Sequence, residues 1–206
     1  YLIDCNRKIL NYFYYTLLIC FLSLVIDGYI QFFTGKNILG NELYAGVRVS
    51  SFFKEELILG SYLSRLFPLL FALFLIKKKI KYEHYFIGVL FILIDVLIYI
   101  SGERAAFAFL NLSTIFIIIL INKYQKFRFI ILFISLIIIS LLTYLNDNMR
   151  DRMVSEPVKT MGFINKNDYG KNSKNLPQKK YIFTPTHDSL IRTALKMFID
   201  KPVFGH

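Results

Sequence analysis

The stretch Phe127–Leu145, FRFIILFISLIIISLLTYL, decides the class of protein to which this chain belongs. Its only charged side chain is that of Arg128, near its start. A helix needs about 20 mainly apolar residues to cross the hydrocarbon core of a bilayer. The stretch is 19 residues long, close to that requirement, and it therefore predicts a transmembrane helix.

Four further apolar blocks precede it, so the sequence predicts an all-α membrane protein with about five transmembrane helices. The 206 residues are 55% hydrophobic, with 21 Phe and 14 Tyr and a mean hydropathy of +0.49. This composition argues against a disordered chain, a disulfide scaffold or an ordinary globular enzyme. β-Branched runs such as Ile117–Ile119 disfavour a helix in water but not in lipid, where the backbone must satisfy its own hydrogen bonds. The predicted bundle occupies residues 1–145, with spans at 9–26, 57–76, 85–100, 105–121 and 127–145.

Basic residues in the short loops predict the orientation. Nine of them fall on one side of the membrane, which the positive-inside rule makes cytoplasmic. They are Arg7, Lys8, Lys77, Lys78, Lys79, Lys81, Lys123, Lys126 and Arg128. The N-terminus is then cytoplasmic, and the 27–56 loop, the turn at 101–104 and residues 146–206 lie outside.

Residues 146–206 read as the start of a large outer loop. Leu190, Leu195 and Phe198 recur near one face, which predicts a short amphipathic helix near 187–199. This helix would lie on the outer membrane surface or on the helix bundle. Alternatively, it would be a packing helix of a larger outer domain. Both chain ends look cut, so we expect a piece of a longer protein.

The net charge of +11 and the two cysteines limit the partners. The basic residues lie beside apolar blocks or in the tail, so they indicate membrane lipids as partners and exclude nucleic acid. A disulfide between Cys5 and Cys20 is not expected, because Cys20 lies inside an apolar block. No metal-binding motif is present, and we expect neither a metal nor another cofactor.

Two ionisable residues lie inside predicted spans, where charges are costly and often functional. Helix rise places Arg65 roughly 12 Å and Asp95 roughly 8 Å from the outer ends of their spans. We expect them to pair, either as a structural ion pair or as walls of a crevice. Asp27, at the outer end of the first span, and Glu103 would support the same region.

Three arginines are candidates for binding an anion on the outer side. Arg104 begins a span after Gly102-Glu103, with Ala105 and Ala106 behind it, so we expect its guanidinium to point into a crevice. Arg48 is flanked by hydroxyl and aromatic residues, and Arg192 lies on the predicted tail helix. A planar guanidinium suits a phosphate, although each could equally be an interfacial anchor.

Several segments resemble the O-antigen ligase and O-antigen polymerase superfamily in their order along the chain. They are IDGYIQFFTGKNILG at 26–40, RVSSFF at 48–53, SGERAAF at 101–107, and ALKMF at 194–198 continuing to PVFG at 202–205. The resemblance spans most of the chain. The GERAAF turn and the segment with Asp27, Gln31, Gly35 and Asn37 are fairly specific together.

This resemblance implies a multi-pass protein of the bacterial inner membrane with a large periplasmic loop. Such proteins transfer glycan from undecaprenyl diphosphate to a lipid or glycan acceptor without a metal, in O-antigen, lipopolysaccharide or other surface polysaccharide synthesis. It implies that Arg104 and Arg48 face the diphosphate. The histidine expected as base would lie beyond His206, so the catalytic residue is unknown and this piece is expected to be inactive alone.

Two other functions fit the same pattern of spans. A periplasmic lipid-phosphosugar glycosyltransferase would carry an acidic pair in its first outer loop, for which Glu55-Glu56 is a poor substitute. A lipid-linked glycan flippase or other transporter would favour repeats and broken helices. No repeat is visible, and only Pro68 indicates a break.

The predicted orientation can be tested by labelling single cysteines in intact cells, with Cys5 and Cys20 replaced by serine. Cysteines at Lys79 and Asn122 should be shielded from an impermeant thiol reagent, because the cytoplasmic side is closed to it. Cysteines at Asn41 and Asn172 should react. Labelling at Lys79 from outside would overturn the orientation.

Overall fold

Five long helices form the first of two compact units, which ends at Met149. A computed structural model describes residues 8–76, 83–121, 125–160 and 185–200 of the chain. The five helices are α1 (Lys8–Thr34), α2 (Leu59–Ile76), α3 (Glu83–Ser101), α4 (Arg104–Leu120) and α5 (Gln125–Leu145). They match the five predicted spans one to one.

Four of these helices, α1, α2, α3 and α5, are long and apolar enough to cross a membrane. The apolar helix α4 is shorter, at 17 residues, and rises about 26 Å, slightly less than the ~30 Å hydrocarbon core. The described residues contain no β-strand, only two isolated β-bridges in the loop after α1. The chain is therefore an all-α multi-pass membrane protein.

Helix α1 runs two turns further than its predicted end at Ile26. It continues to Thr34 because the polar groups of Asp27 and Gln31, one helical turn apart on the same face, find partners in the following loop. Both side chains are fully buried. The predicted 27–56 loop is therefore shorter, and it begins at Gly35.

Helix α3 is the centre of the bundle and packs against α1, α2, α4 and α5. Its membrane-spanning segment is 67% buried, against 28% for α1 and α5. Gly28 allows α1 to approach α3 closely, since an added Cβ would lie 2.8 Å from a methyl group of Leu97. Small residues at such crossings let helix backbones come together in a membrane.

Six of the nine basic residues that predict the orientation lie outside the described residues. They are Arg7, Lys77, Lys78, Lys79, Lys81 and Lys123. Arg128, counted with them, lies inside α5 and is 7% exposed. Its guanidinium donates to the carbonyl oxygens of Ile117 and Ile121 at the end of α4. The carbonyl of Ile117 also accepts from the N–H of Ile121, so the acceptor that the end of α4 leaves to Arg128 is the carbonyl of Ile121.

The loop after α1 is bonded to that helix through Gln31. The side-chain oxygen of Gln31 accepts from the backbone N–H groups of Ser50 and Ser51, at 3.0 and 2.7 Å. Its amide nitrogen donates to the carbonyls of Asn41 and Glu42, at 3.3 and 3.1 Å. One buried side chain therefore holds two separate parts of the loop.

Ser51 adopts a left-handed backbone conformation, with φ of 52°, that residues other than glycine seldom adopt. Three side chains hold it there: Gln31 accepts from its N–H, Asn37 donates to its carbonyl at 2.9 Å, and Asp27 accepts from its hydroxyl at 2.5 Å. Such conformations persist where the surroundings over-determine them. The clamp on Ser51 fixes the chain three residues after Arg48.

The second unit, residues 150–206, is described by itself. A short helical segment passes into it through α6 (Asp147–Arg150), a π-helical turn (Asp151–Ser155) and α7 (Glu156–Thr160). It ends with α8 (Pro185–Asp200), which includes the amphipathic helix predicted near 187–199. The loop between α7 and α8 lies outside the described residues.

We predict that Gln31→Leu lowers the free energy of unfolding by about 2–3 kcal/mol, because it strands buried backbone groups in the loop. Gln31→Glu replaces the two donors with a buried carboxyl oxygen that faces the carbonyls of Asn41 and Glu42, so its loss should be at least as large. The measurement is unfolding of the purified protein in detergent micelles.

The matched control is Gln125→Leu, the same substitution at the first residue of α5. Among the described residues, the Gln125 side chain makes no hydrogen bond. Equal loss of stability in the two leucine variants would show that Gln31 does not hold the loop.

Candidate functional site

Arg48, Glu103 and Arg104 come together at one end of the bundle. That end is formed by the start of α2, the end of α3, the start of α4 and the loop after α1. The turn between α3 and α4 is tight, and Gly102 has a φ of 72° that suits glycine. The sequence placed these same elements on one side of the membrane.

Glu103 caps the start of α2. Its carboxylate accepts from the N–H groups of Gly60 and Ser61 at 2.6 and 2.9 Å, and from the Ser61 hydroxyl at 2.7 Å. The N–H groups at a helix start have no partner within the helix, and their positive end favours a carboxylate. Gly60 makes room, because an added Cβ would lie 3.1 Å from the Glu103 side chain. The supporting role predicted for Glu103 is therefore a structural bond between α2 and the turn.

Arg48 is partly buried and fixed by one hydrogen bond. Its Nε donates to the carbonyl of Ser101, the last residue of α3, at 2.9 Å. Burial lowers the pKa of the Arg48 guanidinium, whereas the charge of Glu103 raises it and that of Arg104 lowers it. Arginine stays protonated at physiological pH despite such shifts. Arg48 thus binds the last residue of α3, three positions before Arg104, and the two arginines lie at the same end of the bundle.

Arg104 is exposed at the first residue of α4. Among the described residues its guanidinium makes neither a hydrogen bond nor an ion pair, although Glu103 is its neighbour in sequence. The carboxylate of Glu103 is directed at α2 instead. The predicted crevice around Arg104 is wrong, since the structure leaves this side chain on the surface.

The predicted ion pair between Arg65 and Asp95 is also wrong. Asp95 is fully buried, and its carboxylate accepts from Asn111 of α4 at 3.0 Å and from the Ser135 hydroxyl of α5 at 2.8 Å. Arg65 is exposed and makes no hydrogen bond among the described residues. The two positions have similar depths along their helices but lie on different faces, which depth alone cannot reveal.

The remaining predicted residues are Asp27, in the first unit, and Arg192, in the second. Asp27 is bound to the loop, where it accepts from the N–H of Ile38 at 2.9 Å as well as from Ser51. Arg192 lies on α8 in the second unit, and its role toward an anion stays a prediction. Asp27 therefore supports the loop that carries Arg48.

Sequence reasoning assigned no role to Gln31, Asn37, Asn111 or Ser135. Two signals could have found them. Gln31 is one turn from Asp27 on the same helix face. Asn111 and Ser135 are isolated polar residues inside apolar blocks, where such side chains bond across helices.

The opposite end of the bundle holds an apolar cavity of about 50 Å³. Phe67, Phe91, Phe127 and Arg128 are among its lining residues. The Arg128 guanidinium is engaged with α4 and lies 5.7 Å from the centre of the Phe71 ring. This cavity is too small for a glycan, and the pair of arginines is the better candidate for a functional site.

Fold and site together define an all-α multi-pass membrane protein with Arg48 and Arg104 at the same end of its bundle. No protein-family model, no curated protein and no solved structure matches the chain.

Because Asp95 bonds to Asn111 and Ser135 and not to Arg65, we can predict which pair of substitutions is coupled in a double-mutant cycle. Arg65→Leu and Asp95→Leu should be additive in unfolding free energy within about 0.5 kcal/mol, because the two side chains share no contact. Asp95→Leu and Ser135→Ala should couple by about 1 kcal/mol or more, because each removes the other's partner. Coupling in the first cycle and additivity in the second would restore the Arg65–Asp95 pair.

Proposed function

We propose that the chain belongs to an integral-membrane glycan transferase that acts on an undecaprenyl-diphosphate-linked oligosaccharide, as an O-antigen ligase or polymerase does. The proposal rests on the resemblance of the segments around Asp27, Arg48, Arg104 and the tail. It also rests on one structural observation: Arg48 bonds the carbonyl of Ser101, so the loop that carries Arg48 is fixed to the turn that precedes Arg104. Those two arginines are the ones that the resemblance assigns to the diphosphate.

The two arginines differ in a way that suits a diphosphate. Arg48 is held by Ser101 and by the clamped loop, so its remaining N–H groups have a fixed position. Arg104 is exposed and can adjust to the second phosphate. Two like charges at the same end of the bundle repel each other, and binding an anion with two negative groups would relieve that repulsion.

On the donor side, glycan transfer mainly requires cations that stabilise the departing diphosphate. The bond between the sugar and the diphosphate breaks, and negative charge builds on the departing oxygen. Positioned cations stabilise that charge more in the transition state than in the ground state. A base must take the proton of the acceptor hydroxyl, and we expect it from a histidine beyond residue 206.

The partners follow from this reaction. They are the undecaprenyl-diphosphate glycan donor, a lipid or glycan acceptor, and the membrane lipids. The protein would act in the bacterial inner membrane, with Arg48 and Arg104 facing the periplasm, in lipopolysaccharide or other surface polysaccharide synthesis. The transfer would be independent of metal.

A lipid-linked glycan flippase or other transporter is the second candidate. Asp95 favours it, because a buried carboxyl inside a span, bonded among the described residues to the neutral Asn111 and Ser135, is a common feature of proton-coupled transport. The two functions differ in their products. A transferase joins glycan to the acceptor in detergent solution, whereas a transporter forms no new glycosidic bond.

We predict that Arg104→Ala in the full-length protein lowers glycan transfer by about a hundredfold, since one guanidinium contact to the leaving diphosphate is worth roughly 3 kcal/mol. Arg104→Lys keeps the charge but not the planar fork, and should recover part of the rate. The assay is transfer from purified undecaprenyl-diphosphate glycan, with and without EDTA.

The matched control is Lys36→Ala, which removes an exposed cation from the loop that carries Arg48. Lys36 is paired with Glu42 at 3.1 Å and has no proposed role in the site. The control variant should transfer glycan at the normal rate. Normal transfer by a well-folded Arg104→Ala variant would make Arg104 an interfacial anchor and remove it from the site.

A further inference from the structure

The helix α8 carries a broad apolar face that no described residue of its own unit covers. Its large apolar side chains from Leu190 onward are all exposed, with Phe198 at 61% and Ile199 at 67%. Helical geometry places one group of them within a single arc of the helix surface. They are Leu190, Ile191, Ala194, Leu195 and Phe198.

We propose that α8 is an interfacial helix, with this apolar face inserted among the headgroups of an anionic bilayer and its axis parallel to the membrane plane. A helix of this kind has a strongly apolar face, an equally polar opposite face and little hydrophobicity on average. Arg192, Thr193 and Lys196 form the polar side of α8. The transmembrane helices differ from it, because they are apolar around most of their surface.

The sequence provides two reasons for a bilayer as the occupant. Only 39 residues separate the end of α5 at Leu145 from Pro185, so α8 is tethered to a helix that spans the membrane. Tethering gives a high effective concentration of the helix near the lipid surface, and weak intrinsic binding then suffices. The inference does not depend on glycan transfer.

Charge is the second reason. Residues 147–206 contain eleven basic and six acidic residues, a net charge of +5. A basic segment next to a transmembrane helix is attracted to anionic lipid headgroups. Arg192, about 60° beyond the edge of the apolar arc, can extend its charged end toward the phosphates while its stem stays beside the acyl chains.

The test uses tryptophan fluorescence, because the chain contains no Trp and a single introduced one reports only its own position. The full chain with Phe198→Trp is reconstituted in unilamellar vesicles of phosphatidylcholine and phosphatidylglycerol, with and without brominated acyl chains. The matched control is Thr193→Trp, about 140° around the same helix on its polar side.

We expect brominated lipid to quench Trp at position 198 at least about twofold more strongly than Trp at position 193, because only the apolar face enters the bilayer. Replacing phosphatidylglycerol with phosphatidylcholine should reduce the difference. Equal quenching at the two positions would overturn the interfacial helix. Blue-shifted emission without quenching at position 198 would also overturn it and would place the face against protein. Quenching that does not change with lipid charge would overturn the role of the anionic headgroups.

Discussion

In a bilayer, an unpaired backbone N–H or C=O group is costly, so each place where this chain leaves a helix needs a partner from within the protein. Side chains provide those partners. Gln31 satisfies four backbone groups of the loop after α1, Glu103 satisfies two at the start of α2, and Arg128 satisfies one at the end of α4. The loop and the candidate site depend on these bonds.

The same constraint separates structural charges from those available for function. Asp27, Glu103 and Arg128 are engaged with backbone or hydroxyl groups of the fold. Among the described residues at the loop end of the bundle, Arg104 has no such role, and Arg48 uses only one of its donors on Ser101. A charged side chain that the fold does not use is the better candidate for binding a ligand.

The sequence predicted five helices with good bounds, because length and hydropathy alone select membrane spans. It missed the end of α1, because a charged residue such as Asp27 after an apolar block indicates the start of a loop. The partners that allow Asp27 to be buried within the helix, Ile38 and Ser51, are distant in sequence. It also paired Arg65 with Asp95 by depth. Depth follows from residue spacing, whereas the face that each side chain occupies depends on how the helices are rotated against their neighbours. Asn111 and Ser135 are the partners because α3 turns Asp95 toward α4 and α5.

The true partners of Asp95 connect the core of the bundle to the candidate site. Asp95 bonds α3 to α4 and α5, and Tyr99 bonds α3 to Thr143 of α5 at 2.6 Å. Ser101, whose carbonyl holds Arg48, ends α3 about 9 Å beyond Asp95 along the helix. A helix fixed at Asp95 and Tyr99 gives Arg48 a rigid support, whereas Arg104 has no comparable bond. The site therefore combines one preorganised cation with one that can adapt, and the buried carboxylate acts through the position of α3 rather than by contact with a ligand.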